Sequence, residues 1–113
     1  MLIVDDHAVF RAAVRGLLEA ADFEVVGEAE DGAAAITAAA ELRPEIVLLD
    51  IQLPDLDGFA VAERLVTDGV SSAIVLVSSR SVSSFRRRLA ANPGLSFISK
   101  SELSGEALEA ALG

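Results

Sequence analysis

Five polar residues each stand at or near the end of a short apolar run, and their types are those of phosphoryl chemistry. Asp5 and Asp6 follow Leu2–Val4, Asp50 follows Ile46–Leu49, Ser78 follows Ala73–Val77, and Lys100 follows Leu95–Ser99. If the runs are parallel strands, these ends share one edge, where doubly wound folds bind their ligands. Two carboxylates about 5 Å apart repel by roughly 3 kcal/mol at an effective dielectric of about 20. Three together therefore require a cation. Oxygen donors without cysteine favour Mg2+, which keeps water and accepts phosphate oxygens as further ligands. A metal-neutralised aspartate can act as a nucleophile through an aspartyl phosphate, and Asp50 is placed for that role. Lys100 is the only lysine beside eight arginines, a point charge set directly after the last strand.

The elements that must position these residues alternate. Leu2–Val4 reads as a strand, and Ala8–Ala21 has helical spacing through Val9, Ala12, Ala13, Leu17 and Ala20. A second strand is expected over Glu24–Glu28, and a second helix over Gly32–Glu41, capped by Asp31 and followed by Pro44. Ile46–Leu49 is continuously apolar between Pro44 and Pro54, which predicts a central strand buried on both faces. The loop QLPDLDG leads to a helix over Phe59–Thr67, then a strand over Ala73–Val77. Val82–Ala91 is expected to form a fourth helix with a serine cap, Leu95–Ser99 a weak fifth strand, and Ala107–Leu112 a last helix capped by Ser104. Such βα alternation implies α/β architecture, a doubly wound parallel sheet with helices on both faces.

Composition bounds the function. At 113 residues the chain has room for one core, and 52% hydrophobic against 24% charged residues excludes a disordered segment. No apolar stretch approaches the roughly 20 residues of a membrane helix, and MLIVDD lacks a signal-peptide pattern, so a cytoplasmic location is expected. A net charge of -9 argues against direct nucleic-acid contact by this segment.

The ordered set of the Asp5 and Asp6 pair, LLD ending at Asp50, Pro54 and Gly58 in the next loop, Ser78 and Lys100 resembles the receiver domains of bacterial two-component response regulators. The resemblance covers residues 1–113. It implies a flavodoxin-like five-stranded sheet of order 2-1-3-4-5. VDDHAVFRAAVRGLLE and VVGEAEDGAAAI look like the subfamily that usually carries a C-terminal helix-turn-helix of LuxR/NarL type. By resemblance, Asp50 accepts a phosphoryl group from a sensor histidine kinase. Asp6, Asp50 and the backbone carbonyl of Gln52 hold Mg2+, with Asp5 bound through water, while Ser78 and Lys100 grip the phosphoryl oxygens. Ser78 and Phe97 are the implied switch residues. The face of the fourth helix, fifth strand and fifth helix is the implied output and a possible homodimer surface. Transcription would be regulated through a DNA-binding domain outside this segment. The receiver would take part in its own phosphorylation and dephosphorylation without being an enzyme in the ordinary sense.

Plainer readings stand beside these. An aspartate pair can be a helix cap, Ser78 lies among Ser79, Ser81, Ser83 and Ser84, Phe97 can be a core aromatic, and Arg86–Arg88 a solvated face. His7 is more simply the start of the first helix than a ligand. Ser79, the NPGLS approach to the fifth strand, and Ser101 after the lysine depart from the family pattern. They keep open the alternative of a receiver-like interaction module that does not cycle phosphate. A haloacid dehalogenase phosphatase would need a second aspartate at position 52, which is Gln52, and no nucleotide-binding glycine motif occurs.

Overall fold

The computed structural model describes residues Met1–Gly113. Its strands are β1 (Leu2–Val4), β2 (Gly27–Ala29), β3 (Ile46–Asp50), β4 (Ala73–Ser78) and β5 (Ser96–Ser99). The helices are α1 (Ala8–Ala20), α2 (Gly32–Leu42), α3 (Gly58–Thr67), α4 (Arg86–Ala91) and α5 (Gly105–Leu112). All strand pairs are parallel, in the order β2-β1-β3-β4-β5. This is the expected doubly wound α/β sheet, and every peptide bond is trans, including that between Lys100 and Ser101.

Period-two alternation of the strands sends side chains to two cores. Leu2, Val4, Val47, Leu49 and Leu76 face Ala35 and Ala39 of α2, Val61 and Leu65 of α3, and Phe85. Ile3, Leu48, Val75 and Val77 face Val14 and Leu18 of α1 and Leu108 of α5. Residues Val47–Leu49 are buried to within 1% because helices cover both faces, which explains their unbroken apolar run.

Caps fix the helix starts. Asp31 accepts the Ala34 N–H at 2.7 Å, Asp57 that of Ala60 at 2.9 Å, and Ser104 that of Ala107 at 3.0 Å. Asp55 adds a second acidic cap to α2, accepting Gly32 N–H at 2.7 Å and Ala33 N–H at 3.0 Å. These N–H groups hold the Asp55 carboxyl below the usual carboxylate range. At the other end of α2, Arg43 turns left-handed at φ 47 just before Pro44.

Three expectations need correction. The apolar spacing read in the first helix, Val9, Ala12, Ala13, Leu17 and Ala20, lies on its exposed side, and α1 is anchored by Val14 and Leu18 instead. The second strand is Gly27–Ala29 rather than Glu24–Glu28, because its register with β1 begins only at Leu2 opposite Gly27. Upstream, Val26 N–H reaches Met1 O at 2.9 Å, while Val25 is buried and Val26 exposed. The expected helix Val82–Ala91 divides into a 3-10 turn over Val82–Phe85 and the six-residue α4, and Ser81 makes no capping bond. Ser81 and Ser83 instead share a hydroxyl hydrogen bond at 2.7 Å. Serines that bond locally and β-branched Val82 are poor material for an α-helical first turn. Elsewhere α3 starts one residue early at Gly58, α5 two early at Gly105, and β5 one late at Ser96.

Candidate functional site

The strand ends converge as the topology requires. Asp5 follows β1 and its N–H donates to Ala29 O at 3.0 Å; Asp50 ends β3, Ser78 ends β4, and Lys100 opens a 3-10 turn directly after β5. Asp5 and Ser78 are fully buried and Asp50 is 2% exposed; they are the three buried polar residues of the fold.

One cation serves two of these carboxylates. Lys100 Nζ donates to Asp5 Oδ2 at 2.7 Å and reaches Asp50 Oδ2 at 3.4 Å. It also lies 4.2 Å from the centroid of the Phe10 ring, whose face adds cation–π attraction. Asp5 Oδ1 accepts His7 N–H at 2.8 Å, and Asp50 Oδ1 accepts Gln52 N–H at 3.1 Å. Both carboxylates therefore direct Oδ2 at lysine and accept a backbone N–H at Oδ1.

The two aspartates divide electrostatically. Burial pushes the Asp50 carboxyl up to about 6, against the lowering pull of Gln52 N–H and Lys100. Burial also opposes ionisation of Asp5. There the Lys100 hydrogen bond and the His7 N–H win, and its carboxyl lies below the usual range. Asp5 is thus the closer partner of lysine, and Asp50 the carboxylate held at greater cost.

Asp6 is exposed, its side chain to 34%, while His7 is the N-cap of α1 with a side chain 70% exposed. The ring does not simply face the rim, because Nδ1 lies 3.0 Å from Asp6 Oδ1 and 3.2 Å from Asp5 Oδ1. Ligand atoms of Asp5, Asp6, His7 and Asp50 all fall within 4.8 Å of one another. Three carboxylates face one ammonium, which leaves two negative charges uncompensated. Hard oxygen donors with excess charge suit a divalent cation, so the residues present fit Mg2+.

Ser78 is at the same edge, with its hydroxyl accepting Arg80 N–H at 3.0 Å. Phe97 is half-buried in the core, its ring 5.8 Å from Phe85, which is 6.2 Å from Phe59. Three contacts at or near the site were not anticipated. Arg11 donates to Asp5 O at 2.6 Å and pairs with Glu28, Phe10 lies beneath Lys100, and Arg88 pairs with Asp57 at 2.7 Å while covering the Phe59 ring at 4.1 Å. A helical-face reading of α1 from its N-cap His7 would have put Phe10 and Arg11 one turn on. No local sequence signal joins Arg88 to Asp57.

Gly58 closes the loop after Asp50. Its N–H donates to Ile51 O at 2.8 Å, and a Cβ there would stand 2.7 Å from both Asp50 O and Ile51 Cα, which are backbone atoms with nowhere to go. Gly58→Ala is expected to lower stability by about 1–3 kcal/mol, measured by urea unfolding. An unchanged midpoint would mean that this close approach does not constrain the loop.

Comparison with known proteins agrees with the geometry. The family model described as Response regulator receiver domain matches residues 1–112. The chain belongs to the response regulator receiver family. Over 111 residues this receiver is 39% identical to the virulence factors putative positive transcription regulator BvgA of Bordetella pertussis, covering 98% of the chain and 53% of that protein. Over 101 residues it is 33% identical to the DNA-binding transcriptional activator EvgA of Escherichia coli K12, covering 89% and 50%. The receiver thus spans about half the length of the curated relatives it matches. Among solved structures, the signal receiver domain of the putative response regulator NarL from Mycobacterium tuberculosis superposes with TM-score 0.80 at 30% identity, covering 99% of this chain and 94% of that one. The response regulator domain of Thermotoga maritima CheB gives 0.82 at 25% identity, covering 98% and 91%.

Proposed function

We propose that this receiver is a phosphorylation switch whose Asp50 accepts a phosphoryl group from a sensor histidine kinase. The carrying observation is that Asp50, nearly excluded from water at the end of β3, stands within reach of a lysine and inside a cluster with two further carboxylates. An Asp50 oxygen attacks phosphorus on the kinase phosphohistidine. The O–P bond forms, the N–P bond breaks, and the leaving imidazole nitrogen takes a proton. Lys100 offers its ammonium and Ser78 its hydroxyl to the phosphoryl oxygens.

Asp6, Asp50 and the Gln52 carbonyl would hold Mg2+, with Asp5 acting through water. When bound, the ion supplies neutralising charge for the phosphoryl oxygens. Asp50 aims Oδ1 and Oδ2 at different partners, so a phosphoryl group on one oxygen must redraw the contact of that oxygen's partner, Gln52 N–H or the Lys100 ammonium. A new dianion then favours an arrangement in which Ser78 and Lys100 reach inward. Phe97 follows Ser78, and the readout is the α4, β5 and α5 face. Beside that face, which is also the proposed homodimer surface, an open groove of about 710 Å³ runs between the segment before α4, β5 and α5, lined by Ser79, Val82, Phe97, Ile98 and Ala107. In a longer regulator a DNA-binding domain carries the output to transcription in the cytoplasm, and the receiver itself makes no nucleic-acid contact. No helix here is long and apolar enough to cross a membrane.

The test is incubation with acetyl phosphate and Mg2+ followed by intact mass. The wild type is expected to gain one phosphoryl group only with the metal, and Asp50→Asn none. A folded wild type that gains nothing would leave the interaction-module reading in its place.

A further inference from the structure

We propose that His7 adds a nitrogen ligand to the receiver's metal site, so that the site takes transition-metal dications of the Ni2+, Cu2+ and Zn2+ class through an imidazole as well as carboxylates. The inference rests on the metal site of the proposed function. His7 is the N-cap of α1, yet its side chain caps nothing, and at 70% exposure it is not held by the core. Its ring is instead turned so that Nδ1 meets Asp5 Oδ1 and Asp6 Oδ1 at 3.2 and 3.0 Å.

Neighbouring ligands at about 2.1 Å around an octahedral ion stand about 3.0 Å apart, and Nδ1 stands 3.0 Å from Asp6 Oδ1, an oxygen of a carboxylate that holds the ion directly in the proposed function, so these two atoms already have the spacing of adjacent ligands. Asp50 is also in the cluster, all of whose ligand atoms lie within 4.8 Å. Lys100 occupies the Oδ2 atoms of Asp5 and Asp50, on oxygens other than those His7 meets. Without a metal, Nδ1 is the donor to these carboxylate oxygens; a neutral imidazole that moves this proton to Nε2 presents Nδ1 as a lone pair to an ion bound among them. Imidazole suits Ni2+, Cu2+ and Zn2+, whereas Mg2+ prefers oxygen throughout. The nitrogen therefore changes which ion is favoured more than it changes Mg2+ binding.

The chain has one histidine and no cysteine, so an imidazole signal from a bound ion can come only from His7. The experiment is calorimetric titration of the tag-free full chain with Mg2+ and, separately, Ni2+, for wild type, His7→Gln and Asp50→Asn. His7→Gln is expected to weaken Ni2+ about 10-fold or more and to change Mg2+ far less. A Cu2+ complex of the wild type should show nitrogen coupling from one imidazole by electron paramagnetic resonance, lost in His7→Gln. Equal losses for both ions, no loss for Ni2+, or Ni2+ binding indifferent to Asp50→Asn would overturn the nitrogen ligand while leaving the Mg2+ site standing. Absence of Mg2+ binding by the wild type would overturn the site itself.

Discussion

Asp50→Asn is expected to make the metal-free protein more stable by about 2–3 kcal/mol near pH 8, while removing the proposed phosphoacceptor. Burial holds the Asp50 carboxyl at about 6, whereas an unfolded chain has it near 3.8. Each pKa unit corresponds to about 1.4 kcal/mol, so a displacement of about two units sets about 3 kcal/mol as the upper end, and coupling to Asp5 and Lys100 reduces it. The sign follows from the upward direction. Between the two values the folded state binds more protons than the unfolded state, so the Asp50 contribution is present below about pH 4 and lost as pH rises through about 6. Asn at this position cannot ionise, so the advantage over wild type should appear across that window, reach a plateau above it, and vanish at lower pH. Denaturant unfolding in chelator at several pH values reads this directly. A gap that widens on acidification would show that Asp50 is not the carboxylate held at a cost. Added Mg2+ should narrow the gap, because binding stabilises only the protein that keeps the site.

The opposite outcome is expected for Lys100→Met. The Lys100 side chain is 18% exposed and the side chains of its two partners 0% and 3%, so removing it leaves two carboxylates out of water without their shared counter-charge. Breaking such a buried pair from one side costs about 3–5 kcal/mol, far more than an exposed ion pair contributes. The depressed Asp5 carboxyl stabilises the wild type above its unfolded value and loses that contribution as pH falls through the folded one. In the variant both carboxylates should titrate upward. The deficit should therefore be largest near neutral pH and should shrink on acidification, as the stranded groups take up protons. Adding Asp50→Asn to Lys100→Met should recover only part of the loss, since Asp5, the closer partner at 2.7 Å, stays without its counter-charge. Strictly additive effects in this cycle would mean that the 3.4 Å approach of Lys100 to Asp50 carries no energy.

What the sequence makes legible follows from periodicity. The apolar runs before Asp5, Asp50, Ser78 and Lys100 are long enough to mark strands, and parallel topology then brings their ends to one edge. The convergence of these polar residues on one edge is therefore legible from the pattern of apolar runs. Less legible are features with weak local signals. The second strand carries GEA, which has almost no apolar pattern, and its position is set by the register with Leu2–Val4. The division of Val82–Ala91 turns on serines choosing local hydroxyl partners over an α-helical turn. The orientation of His7 and the contacts of Arg11 and Arg88 depend on side chains crossing between elements, and composition is silent on those.

Asp57 carries two loads. It caps α3, and it receives Arg88 from α4, 31 residues further along the chain. The loop after Asp50 and the short helix behind the aromatic trio are thereby fastened at a single carboxylate. Both partners of that ion pair are nearly half exposed, and such a link is worth at most about 1 kcal/mol. The pair is therefore a weak tie, and α4 is held chiefly by what it packs, Leu89 against the core and the Arg88 guanidinium over the Phe59 ring.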